Sequence, residues 1–109
     1  MDAASAEAYV TELFGASFVE GITADQWHTA LAASVIPDLA GRWPAADGWI
    51  PAYDEQWLAA EIVALRMLQA MTSDTILTWT SEGTTMTGRP ADLAALEAKL
   101  RQRSKIAAM

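Results

Sequence analysis

Cysteine is missing from all 109 residues. Its absence excludes a disulfide framework, a thiolate zinc site and a cysteine nucleophile, and fits a reducing compartment. Histidine occurs once, as His28 beside Trp27, with no second histidine or cysteine at metal-ligand spacing. A structural or solvated role is expected for it, and no metal site. No run approaches 18 uninterrupted apolar residues, and no basic segment leads into an apolar one near the N-terminus. Neither a membrane span nor a secretory signal is therefore readable. A glycine-rich phosphate loop, a G-x-S-x-G elbow and a supported pair of carboxylates are all lacking, so neither an enzyme nor a cofactor is expected.

What the chain has in quantity is apolar surface, 52% of its residues. That content and length predict one soluble intracellular domain, residues 1–109, burying roughly two-thirds of its unfolded surface. The net charge of −7 is unevenly spread. Residues 1–55 carry nine acids against Arg42 alone, whereas the last eleven residues carry Lys99, Arg101, Arg103 and Lys105 and no acid. An acidic body repels a phosphate backbone, which argues against duplex binding by the domain as a whole. The basic end reads in three ways: a solvated helix terminus favoured by the macrodipole, a tail that docks on an acidic partner, or a direct nucleic-acid contact.

Alanine occurs 23 times but never between Met71 and Pro90, where seven of the ten threonines sit. Alanine favours helix and threonine strand, so this switch predicts a β insertion in a mainly α protein. The expected architecture is a small bundle of about four helices with one β-hairpin before the last helix. Its parts are N-terminal helices in 1–40, an aromatic connector in 41–53, a central helix in 54–72, a hairpin in 75–88, and a C-terminal helix with a basic tail in 90–105.

The first helix is expected from about Ser5 to before Gly15, with Tyr9, Val10, Leu13 and Phe14 as its apolar stripe. Thr23 and Gln26 have capping-box spacing, and Ile22 and Trp27 are placed as a hydrophobic staple. They predict a helix starting at Ala24 whose inner face continues through Trp27, Leu31 and Val35 until Pro37 ends or kinks it. The connector GRWPAADGWIPAY then spends Trp43 and Trp49 where ordinary loops spend none. Either these rings cap the core, or one of them anchors a neighbouring subunit.

Asp54 is a suitable N-cap for the central helix, which is apolar almost all round: Trp57, Leu58, Ile62, Leu65 and Leu68 share one face, and Val63, Met67 and Ala70 the other. Such a helix is central or buried by an oligomer. Glu61 falls within the apolar face and needs a partner, expected to be Arg66 or Arg89 of its own or an adjacent subunit. In the hairpin, a two-residue loop at Glu82-Gly83 puts Trp79 opposite Met86 with Leu77 on the same face. That face must lie on helices, and its threonine edges can pair with another chain. The last helix is marked by Pro90 in its first turn, by Leu93, Leu96 and Leu100, and by a Glu97–Arg101 pair.

The segment ILTWTSEGTTMTGRPADLAALEAKLRQRS, a strand, an acidic-Gly turn, a threonine-rich strand and a leucine-spaced helix with a basic end, resembles the small head-to-tail joining proteins of lambda-like tailed phages. The resemblance covers about half of the chain. The preceding helices and aromatic connector are more similar to the longer helical adaptors beneath the portal. The resemblance implies a structural virion protein, a head-tail connector assembled in the bacterial host cytoplasm and located at the virion neck. It implies a homo-oligomeric ring, a dodecamer matching the portal, that extends the channel for passing DNA without reading its sequence. Its partners are then the portal protein and the next neck or tail protein, a stopper or tail terminator, with no membrane, metal or cofactor. Partner contacts are expected at Trp43, Trp49, Glu61, Trp79, Arg89, Lys99, Arg101, Arg103 and Lys105. The strongly acidic N-terminal half departs from the short joining proteins. Two other classes stay open: a dimeric, antitoxin-like partner-binding module with the basic tail on DNA or a toxin, and a small enzyme using Glu61 and His28.

Overall fold

The computed structural model describes residues 1–73, 77–81, 84–88 and 90–106, with side chains for 1–69 and 93–106. Among the described residues the fold is mainly α: α1 (Ala3–Phe14), α2 (Ala16–Val19), α3 (Ala24–Ala32), α4 (Glu55–Ser73) and α5 (Pro90–Arg103).

Helix α1 begins at Ala3, two residues before the expected start near Ser5, because Asp2 caps it: its Oδ1 accepts the Ser5 amide at 2.8 Å. Ala6, Val10 and Phe14 are buried along it, with Tyr9 and Leu13 packed alongside. Gly15 then turns the chain with φ 90°, a value that non-glycine residues rarely adopt, and so lets the short α2 follow at once. That single turn was not expected from the sequence. It places Phe18 against Phe14, with ring centroids 5.1 Å apart.

The capping box of α3 forms as its spacing predicts: Thr23 Oγ1 accepts the Gln26 amide at 3.1 Å, and Gln26 Oε1 accepts the Thr23 amide at 2.9 Å. Its far end differs from expectation. The helix stops at Ala32, five residues before Pro37, so the proline does not end it. Ser34 donates its hydroxyl to the Ala30 carbonyl at 2.8 Å, and Val35 pairs in an antiparallel bridge with Tyr53. Val35 is therefore extended and does not continue the inner face of α3.

Helix α4 is the centre of the fold. Asp54 caps it by accepting the Trp57 amide at 2.8 Å, and Leu58, Ala59, Ala60, Ile62 and Val63 have no exposed surface at all. Each fully buried Leu or Ile of this kind contributes about 1.5–3 kcal/mol. The helix packs on α1, α3 and α5, which accounts for its apolar circumference over this first half. Toward its C-terminal half Leu68 is 62% exposed, so within one chain the helix is central only over its first half. Helix α5 runs antiparallel to α4, because Lys105 just beyond it meets Asp54, and Arg101 meets Glu61. Its Leu93 and Leu100 are buried and its Leu96 packs against the core.

Between α4 and α5 the backbone segments β1 (Leu77–Ser81) and β2 (Thr84–Gly88) pair antiparallel, Trp79 opposite Met86. The expected turn at Glu82-Gly83 and the expected partner residue Arg89 lie outside the described residues, as does the side chain of Trp79.

Candidate functional site

The connector between α3 and α4 is built around one carboxylate. Asp38 Oδ1 accepts the amides of Ala40 and Arg42, each at 2.9 Å. Its Oδ2 accepts Arg42 Nε at 2.9 Å and the Ile50 amide at 3.1 Å, while the Asp38 amide itself donates to the Arg42 carbonyl. An Asp side chain that satisfies its own following backbone is the ordinary way to close an Asx-type turn. Here it also reaches across 12 residues to pin the far strand of the loop. Burial of this carboxylate by itself raises its pKa; the Arg42 and Ile50 amides, the Arg42 guanidinium and the Ala40 amide outweigh that and hold it at about 2. Gly48 completes the loop with φ 80°, and a Cβ there would stand 2.9 Å from Arg42 Nη1.

The clamp holds apolar side chains out in water. Leu39, between the anchored Asp38 and Ala40, is 110% exposed, Ile50 is 63% exposed and Trp43 is 51% exposed. Bonding the loop to Asp38 fixes its backbone, and with it the direction in which each side chain leaves. The two connector tryptophans thus part company. Trp49 folds back, donating Nε1 to the Ile36 carbonyl at 3.3 Å and meeting Tyr53 edge to face at 6.2 Å, whereas Trp43 stays at the surface. Beside them opens a largely apolar groove of about 670 Å³, walled by Ile36, Pro37, Leu39, Ile50 and Pro51, with Asp2, Arg42 and Lys105 along it.

A second polar centre joins α4 to α5. Arg101 Nη1 donates to Glu61 Oε1 at 3.2 Å, its Nε and Nη2 donate to Glu97 Oε1 at 3.1 and 2.9 Å, and its guanidinium lies 4.5 Å from the Trp57 ring centroid. Burial alone lowers the Arg101 pKa, and the hydrogen bonds and charges of Glu97 and Glu61 more than reverse it, so the net shift is upward. Among the described residues the partner of Glu61 is therefore Arg101, not Arg66. Five residues along one helix turn Arg66 far round from Glu61, and Arg66 instead donates Nη1 to Gln69 Oε1 at 2.6 Å and rests over Phe18. Among the described residues the buried Arg66 Nε has no acceptor.

Of the expected contact residues, the structure joins Glu61 to Arg101 inside the fold. It places Trp43 at the surface with Lys99, Arg103 and Lys105 exposed toward the end of α5, and tucks Trp49 under the connector. His28 is exposed. Among the described residues no three His, Asp or Glu side chains gather as metal ligands would. Asp38 and Leu39 are residues that sequence reasoning passed over, and Ile50 was read only as one apolar residue of the connector; the local hint was an Asp between Pro37 and Gly41, a turn-forming context.

The chain matches no family model, no curated protein and no solved structure.

Proposed function

We propose that this chain is a non-catalytic assembly protein, a head-to-tail adaptor of a tailed phage that stands as a ring of about a dozen copies beneath the portal. In this reading it sits in the neck of the virion, after assembly in the bacterial cytoplasm. It extends the DNA channel without reading sequence, and receives the next neck or tail protein on its other face. A hairpin closed at Glu82-Gly83, with Leu77, Trp79 and Met86 turned toward the helices, completes the helix-hairpin-helix unit that suggests the family.

One observation carries the reading: Leu39, Ile50 and Trp43 are held in water on a loop that Asp38 ties at four donors. Apolar side chains kept out of a core by a dedicated polar clamp make sense as a contact surface for another protein. The α4 helix, whose exposed Leu68 adds a second apolar spot, supports the same reading. The test is to incubate the purified chain with portal rings and weigh the complexes by native mass spectrometry. A bound ring of about a dozen copies is expected; a chain that ignores the portal at every concentration would rule the adaptor out.

A further inference from the structure

We propose that Asp47 and Gly48 form a self-modification site, where the Asp47 side chain closes on the Gly48 amide nitrogen and leaves an isoaspartyl bond in the connector. An aspartate side chain stands within a five-membered ring of the next residue's amide nitrogen, so the two groups meet without any encounter step. A following residue without a Cβ leaves that nitrogen open to approach. The chain offers this pair once: it has no asparagine, and of its seven aspartates Asp47 alone precedes glycine.

The structure leaves both reacting groups available. Asp47 and Gly48 are exposed, and among the described residues neither the Asp47 carboxylate nor the Gly48 amide has a hydrogen-bond partner. They sit in the middle of a turn closed by the Trp49 amide on the Ala46 carbonyl at 3.3 Å. Other aspartates stand differently. Asp38 and Asp54 are buried with both oxygens bonded, and Asp2 caps α1. Asp25 lies in the first turn of α3, where the amide that follows it is taken by the Thr23 hydroxyl.

The chemistry needs no reagent but water. In the protonated carboxyl, Cγ of Asp47 is attacked by the Gly48 nitrogen: the N–Cγ bond forms, the Cγ–OH bond breaks, and the hydroxyl leaves as water with the amide proton. The product is a cyclic imide. Water then adds to one of its two carbonyls and opens it. Attack at Cγ restores the original aspartate, whereas attack at the Asp47 main-chain carbonyl leaves the chain running through the side chain. The second outcome restores the composition and lengthens the backbone by one methylene.

That added methylene falls beside the Asp38 clamp. Gly48 runs so close to Arg42 that a Cβ on it would stand 2.9 Å from Nη1, and a longer path shifts the backbone at this approach. Just beyond, Trp49 Nε1 donates to the Ile36 carbonyl at 3.3 Å and the Ile50 amide to Asp38 Oδ2 at 3.1 Å. These are the bonds that the modified turn loosens. The Ala40 amide reaches Asp38 Oδ1 from the other side of the loop and keeps its bond. The site stands whether or not the connector meets another protein.

The experiment ages the full chain in warm neutral buffer, digests it with trypsin and assays the peptide from Trp43 to Arg66 for isoaspartate by enzymatic methylation, with electron-transfer fragmentation to place it. A parallel sample in urea gives the rate that the Asp-Gly pair has without a fold. Isoaspartate is expected at Asp47, and the folded chain is expected to keep at least about a tenth of the urea rate, because one surface hydrogen bond is all that has to open. Asp47→Glu, which would need a larger ring, is expected to lose the signal; circular dichroism checks that it folds as the wild type does. No isoaspartate in the folded wild type, a folded rate below that tenth, or an equal signal in the peptide ending at Arg42, which holds Asp25, would each overturn the site. Hydrogen exchange on the modified chain, separated by ion exchange, is expected to accelerate at the Ile50 amide and not at Ala40. Unchanged exchange at Ile50 would overturn the link to the clamp.

Discussion

The first half of α4 and the connector before it are both rich in apolar residues, and they end in opposite environments. From Leu58 to Val63 the apolar side chains are sealed between α1, α3 and α5, while in the connector Leu39, Trp43 and Ile50 face water. Hydrophobicity is similar; what differs is how the backbone is satisfied. Helix α4 bonds its own amides and is free to bury every face, whereas the connector has no ladder of its own and borrows a carboxylate, Asp38, to replace one. Once that carboxylate has bonded the loop, its side chains point where the clamp leaves them. The lesson is that apolar content predicts burial only where the local backbone can follow it inward.

Truncation sharpens the contrast most. Ile62→Ala or Leu58→Ala removes a side chain with no exposed surface and should cost about 2–5 kcal/mol in urea unfolding. Leu39→Ala in the connector should stay within roughly 0.5 kcal/mol of the wild type. Equal losses at the two sites would abolish the distinction.

A smaller effect is expected where the connector enters α4. Asp54 is 1% exposed, and its Oδ1 caps Trp57 while its Oδ2 accepts the Lys105 amide at 2.8 Å. Asp54→Ala leaves both amides short of an acceptor and should cost about 1–3 kcal/mol. Asp54→Asn can keep the cap, because Asn is a good capping residue, but it turns an NH2 toward the Lys105 N–H. Hydrogen exchange should then accelerate at Lys105 and not at Trp57; acceleration at neither amide would show that the second bond holds nothing.

Next in size is Arg101, which joins Glu61, Glu97 and the Trp57 ring. Arg101→Ala should cost on the order of 1 kcal/mol, and Glu61→Gln less, because these groups are partly exposed and Gln still accepts a hydrogen bond. Thermal melts in which Glu61→Gln is the more damaging change would put the weight of the centre on the wrong residue.

Acid should act most locally. The Asp38 pKa is lowered from 3.8 to about 2 in the fold. The stability this carboxylate contributes is therefore complete above 3.8 and is lost as pH falls through about 2. Exchange of the Ala40, Arg42 and Ile50 amides should rise in that window before the amides of Leu58 and Ile62 respond. Simultaneous loss in both regions would mean that the clamp is not a separate unit.

Much of the helical framework was legible because its signals are local. Thr23 with Gln26, Asp54 before Trp57, and Glu97 with Arg101 all act within four residues. What escaped was set by distance along the chain. Asp38 finds Ile50 12 residues away, and Glu61 finds Arg101 40 residues away, and no periodicity announces such pairings. The end of α3 was misplaced for the same reason: Val35 leaves the helical pattern because Tyr53, far ahead in the chain, takes it into a bridge. The exposure of Leu39 was hidden too, because nothing local in the sequence shows that the Asp38 beside it clamps the loop.

The most direct test of the central claim, that the clamped connector is an assembly surface, is native mass spectrometry of the chain with portal rings, comparing the wild type with a Leu39→Asp, Ile50→Ser double variant of matched thermal stability. The account predicts a ring of bound wild-type chains and the loss of that ring with the variant. Identical occupancy by both proteins, or no binding by the wild type, would contradict it.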